Sequence, residues 1–115
     1  MQHFEFTAAD FEQVRLLALE YPNASDSLSY DDTPSVKIKK HLLCRLNENG
    51  EWIVIRTDFA SRDLFLEQYP ESCFITSHYE KYPYICLHTG KHNSSLIKQL
   101  LDSGYQAITA KKKKS

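Results

Sequence analysis

Lys37, Lys39, Lys40 and Arg45 fall within ten residues that contain no acid. On an alternating strand Lys37, Lys39 and Arg45 share one outward face. A protruding hairpin with such a face meets phosphates and releases their counterions. The same residues also suit a solvated sheet face, because lysines on exposed strands block edge pairing. A second group is His78-Tyr79-Glu80-Lys81-Tyr82-Pro83-Tyr84. It combines ring faces and hydroxyl donors with a rigid proline. With Tyr30 and Thr33, the residues His78, Tyr79, Tyr82 and Tyr84 are candidates for a ligand pocket or a base-stacking surface. The plainer alternative is a set of buried tyrosines whose hydroxyls satisfy backbone groups near a proline turn.

Other chemistry finds less support. His78 and Tyr30 are capable of acid–base work, but no carboxylate pair, glycine-rich phosphate loop or nucleophile motif accompanies them. A non-catalytic protein without a cofactor is therefore expected. Cys86, His88 and His92 are the nearest approach to a metal set. The spacing from His88 to His92 crosses Thr89-Gly90, so the two are not on one helical turn, and no metal is expected. Cys44, Cys73 and Cys86 cannot all pair within one chain, and no Cys-x-x-Cys is present. Each lies in an apolar stretch, so buried reduced thiols in a reducing compartment are expected.

A chain of 115 residues with 42% hydrophobic and 25% charged content is that of one ordinary globular domain. We expect a single domain over residues 1–110. No apolar run approaches the roughly 20 residues of a membrane span, and no signal peptide is evident, so a cytoplasmic monomer is expected. The net charge is −1, whereas a dedicated nucleic-acid binder usually has a basic domain. The charge is uneven, however. Residues 1–34 hold seven acids and one base, Arg15, so the remainder is basic. Lys111 to Lys114 make residues 111–115 a self-repelling tail, expected to be disordered.

Elements must position these groups. Thr7 and Asp10 resemble a capping box, and Phe11, Val14, Leu17, Ala18 and Tyr21 recur at helical spacing, which predicts a helix over 8–20. Alternation suggests a first strand near 26–30, interrupted by Pro34. Val36 and Ile38 alternate with lysines. After a turn near Lys39-Lys40, Leu42, Cys44 and Leu46 alternate with His41, Leu43 and Arg45, giving a hairpin with one apolar and one mainly basic face. Asn49-Gly50 marks another tight turn. Trp52 to Ile55 is apolar on both faces, which predicts a central strand covered on both sides. Asp58 caps a second helix over about 60–69, which stops before Pro70. Phe74-Ile75 and Ile85 to Leu87 are the last strands. Asn93 or Ser94 caps a third helix with the stripe Leu96, Ile97, Leu100 and Leu101, which Tyr105 and Ile108 extend past Gly104. The fold class is α+β, an antiparallel sheet with helices packed on one face.

These stretches, in this order, carry a resemblance. The segments Tyr30 to Ile38, Leu42 to Leu46, Arg62-Asp63-Leu64 with Tyr69-Pro70, Phe74 to Tyr79, Tyr82-Pro83-Tyr84 and Leu96 to Tyr105 resemble the MmcQ/YjbR family. The resemblance spans nearly the whole chain and implies a frataxin-like (CyaY-like) α+β sandwich with two hairpins described as a double wing. It also implies DNA binding. Two positions depart from the family pattern. Asp32 stands where glycine often precedes the Thr-Pro, and Lys39-Lys40-His41 occupies a turn that often holds glycine. An iron-binding ridge, which a frataxin-like fold invites, has too few acids in Asp10, Glu12 and Glu20. The expected mechanism has Lys37, Lys39, Lys40 and Arg45 on phosphates, with His78, Tyr79 and Tyr82 adding stacking or hydrogen bonds. The alternative is a protein or small-molecule binding domain that uses the His78–Tyr84 cluster.

Overall fold

The computed structural model describes residues 11–28, 33–47, 52–88 and 94–110. The capping box at Thr7 and Asp10, Tyr30, the Asn49-Gly50 turn, His92, Asn93 and the lysine tail lie outside them. Residues 11–18 form helix α1. Strands β1 (Ala24–Leu28), β2 (Pro34–Ile38), β3 (His41–Leu46) and β4 (Trp52–Arg56) follow. Next come helix α2 (Phe59–Gln68), β5 (Cys73–Phe74), a 3-10 turn (Ser77–Tyr79), β6 (Tyr84–His88) and helix α3 (Ser94–Ala110). The strands form one antiparallel sheet in the order β1-β2-β3-β4-β6-β5. The expected α+β architecture is therefore the observed one.

One sheet face carries the core. Val36, Ile38, Leu43, Cys44, Leu46, Ile53, Ile55, Ile85 and Leu87 pack with Phe11, Val14 and Ala18 of α1 and with Leu96, Ile97, Leu100, Leu101 and Ile108 of α3. The α3 stripe recurs at helical spacing, and Gly104 lies in it without breaking the helix. A β-carbon there would sit 2.3 Å from the Arg56 carbonyl oxygen and 2.9 Å from Leu43 Cδ1. The absence of a side chain is what lets α3 lie this close to β3 and β4. On the opposite face Val54, Tyr79 and Cys86 form a smaller cluster with Trp52, Phe74 and Tyr84. Strand β4 is thus covered on both sides, as its sequence implied.

Local chemistry sets the boundaries. Asp58 Oδ1 accepts from Ser61 N at 2.7 Å, which starts α2. Tyr69, before Pro70, closes it in a non-helical conformation. Strand β1 begins earlier than alternation suggested, because Asn23 is left-handed (φ 67) and turns the chain directly into the sheet. Pro34 opens β2, a strand position that needs no ladder donor from it. Burial pushes the Cys44 and Cys86 thiols up to about 12 and the Cys73 thiol up to about 11. They are inert core groups, not nucleophiles.

The β2–β3 turn has Ile38 paired with His41 and Lys39 in the left-handed region, φ 60. A lysine there bears a β-carbon clash that glycine lacks. Lys39→Gly keeps the backbone N–H that donates to the Asn23 carbonyl. It should stabilise the fold by about 0.5–1 kcal/mol, net of the freedom glycine adds to the unfolded chain. The check is a thermal melt, where the variant's Tm should rise by a few degrees. An unchanged or lower Tm would show that the turn is not strained.

Candidate functional site

The site is assembled by a β-bulge. Val36 pairs with Cys44, but Lys37 pairs with Leu42, so Leu43 is an extra residue in β3. Leu43 and Cys44 therefore both enter the core, and the alternation resets on either side. Leu42 goes to the opposite face, where Lys37, Arg45 and Val54 also lie. This corrects the sequence assignment, which put Leu42 on the apolar face and Leu43 on the basic one.

A second correction concerns Arg45. It was expected to project beside Lys37 and Lys39 on an outward face, yet it is only 6% exposed. Its Nη2 donates to the Tyr79 hydroxyl at 2.8 Å, and its Nη1 to the Leu46 carbonyl at 3.3 Å. Tyr79 covers this end of the sheet, so Arg45 belongs to the aromatic group. Lys39 and Lys40 are exposed at the hairpin tip and Lys37 is half-buried. Among the described residues, no ion pair involves any of the three.

Leu42, Arg45, Val54, His78, Tyr79, Tyr82 and Tyr84 line a hollow of about 320 Å³. Of the six residues proposed for a pocket, His78, Tyr79, Tyr82 and Tyr84 come together here. Thr33 is buried and does not line it, and Tyr30 lies outside the described residues. His78 meets the Tyr79 ring edge-on at 4.8 Å, and Tyr79 meets Tyr84 at 5.7 Å. Tyr82 forms the rim at 51% exposure, its ring centre 6.1 Å from that of His78. Buried tyrosine near a proline turn describes Tyr79, but not Tyr82.

Backbone bonds shape the segment that carries these rings. The Thr76 carbonyl accepts from Tyr79 N at 2.9 Å, and the Tyr79 carbonyl accepts from Tyr82 N at 3.1 Å. Tyr84 N donates to the Tyr82 carbonyl at 2.8 Å, a tight turn centred on Pro83, whose fixed φ suits it. The Pro83 carbonyl accepts from Thr57 N at 2.7 Å and from Thr57 Oγ1 at 3.1 Å.

The organising residue is Arg62, which the sequence reading gave no functional role. It is 8% exposed on α2. Its Nη1 donates to the carbonyls of Tyr79 at 3.1 Å, Glu80 at 3.3 Å and Tyr82 at 2.9 Å. Its guanidinium also lies 5.0 Å from the centre of the Phe59 ring. A fixed cation thus gathers three carbonyls that all point out of one turn. The flanking sequence, Ser61-Arg62-Asp63, looks like a solvated helix face and carries no sign of this.

The metal reading gains nothing from the geometry. Cys86 is fully buried, and exposed His88 stacks on Phe74 at 4.4 Å. Among the described residues no group of three His, Cys, Asp or Glu side chains is placed to hold an ion. No helix among them is long and apolar enough to cross a membrane.

A scan against protein-family models finds no match, and neither does a comparison with curated proteins. Among solved structures, Deinococcus radiodurans protein DR2400, described by the family-model domain DUF419, is similar in fold. The TM-score is 0.68 at 19% identity, over 85% of this chain and 77% of that one. At this identity the likeness establishes shared architecture.

Proposed function

We propose that the chain is a non-catalytic nucleic-acid-binding domain of the MmcQ/YjbR type, acting in the cytoplasm as a monomer. Lys37, Lys39 and Lys40 contact phosphates, and the hollow beside them receives base or sugar groups. One observation carries this reading. Lys37 pairs directly across the sheet from Leu42, and Leu42 lines the hollow, so cationic ribbon and aromatic hollow form a continuous surface. The ribbon supplies attraction without sequence information, and the rings supply contacts that salt does not screen. The order of matching stretches along the chain and the fold shared with DR2400 support the family assignment.

A salt titration tests it. Three phosphate contacts give log K falling with log salt at a slope of about −2 on single strands and nearer −3 on duplex. Changing Lys37, Lys39 and Lys40 together to Glu should abolish that slope and most of the affinity. Unchanged affinity in the triple variant would remove the ribbon from the mechanism.

A second reading follows from Arg45. A buried guanidinium inside an aromatic hollow suits a small carboxylate or phosphate ligand. Such a ligand would lose affinity on Tyr82→Ala at every salt concentration, and would be indifferent to the lysine changes.

A further inference from the structure

We propose that the hollow accepts an unpaired base, which makes the preferred partner a single strand of nucleic acid rather than a closed duplex. This rests on the nucleic-acid reading above and specifies its substrate.

The argument is geometric. A paired base has both faces covered by its neighbours and shows a protein only its groove edges. The hollow is walled instead by rings. Tyr82 at the rim and His78 are inclined by 37°, while Tyr79 stands at 81° to His78 and 62° to Tyr84. Val54 and Leu42 supply apolar surface, and Arg45 with the Tyr79 hydroxyl supplies the polar groups. These rings pack on one another, with centres 4.8 to 6.1 Å apart, so they form one aromatic wall of the hollow that a single base meets with its exposed face. The half-exposed Tyr82 ring gives an entering base a face to cover. Extraction from a duplex costs a few kcal/mol of stacking and pairing, whereas a single strand offers its bases at little cost.

The cations agree with this. With Arg45 withdrawn into the hollow, Lys39 and Lys40 are the exposed cations among the described residues of the hairpin, and they suit phosphate contacts. Lys37 stands beside the hollow and Lys39-Lys40 lie beyond it along the same ribbon. One backbone can place a base in the hollow and run its next phosphates across the lysines.

The test is fluorescence anisotropy on the full chain with three labelled probes of equal phosphate number. They are a short oligothymidylate, a duplex, and a strand of abasic sites. The oligothymidylate should bind about tenfold or more tighter than either of the others. Tyr82→Ala should lose that advantage on the oligothymidylate, yet bind the abasic strand as the parent chain does. Equal affinity for oligothymidylate and abasic strand, or tighter duplex binding, overturns base insertion while leaving the lysine contacts standing. Failure of every probe to bind overturns both this inference and the reading it rests on.

Discussion

Gly104→Ala should destabilise the fold by about 2–3 kcal/mol and lower the Tm by roughly 10 °C or more. The usual expectation has the opposite sign, since alanine in a helix interior gains about 1 kcal/mol over glycine. Packing decides the matter. The new methyl would lie 2.3 Å from the backbone oxygen of Arg56, at the end of a central strand. A side-chain rotation cannot clear a backbone atom, so α3 or β4 must move. Both contribute to the one large core, where Leu101 and Ile55 are fully buried. Thermal unfolding followed by circular dichroism checks this. A Tm equal to or above that of the parent chain would mean that the helix is not seated this closely.

Arg62→Ala should act on the site rather than on the whole fold. Three carbonyls lose the two N–H groups of one charged nitrogen, which they share, and a full hydrogen bond of this kind is worth about 1.5–3 kcal/mol before the loop relaxes toward water. A net loss of about 2–4 kcal/mol, felt mainly in residues 76–84, is expected. Native-state hydrogen exchange distinguishes the cases. The Tyr79, Tyr82 and Tyr84 amides, all bonded within this segment, should exchange at least tenfold faster. Amides pairing β3 with β4 should keep most of their protection. Arg62→Lys should restore the segment only in part, because its ammonium sits on a shorter stem and is more strongly hydrated than a guanidinium. If the three amides kept their protection in Arg62→Ala, the clamp would have no role in holding the rings.

Much of the architecture was legible because its signals are local. Asp58 before a helical stretch, Pro70 after it, and Trp52 to Ile55 without a polar face each have one reading, and each is borne out. The hollow was legible only in part. Its rings lie together in sequence, so His78, Tyr79, Tyr82 and Tyr84 were recognisable as a group. Arg45 was misplaced because Leu42-Leu43-Cys44 is apolar throughout, and such a run does not show where the alternation slips. The bulge at Leu43 is decided by pairing with β2, which is tertiary information. Arg62 was missed for a similar reason. Its partners are backbone carbonyls seventeen to twenty residues away, and carbonyls leave no mark on sequence. Lys39 shows a further limit. A left-handed turn residue normally announces itself as glycine or asparagine, and here the chain puts a cation in that conformation.

The common surface of ribbon and hollow is the central claim, and an NMR titration of the labelled chain with a short single-stranded oligonucleotide tests it most directly. Amide and aromatic signals from Lys37 to Arg45 and from His78 to Tyr84 should shift together, with one shared saturation curve. Shifts confined to the helical face of α1 and α3, or no shift at saturating strand, would contradict it.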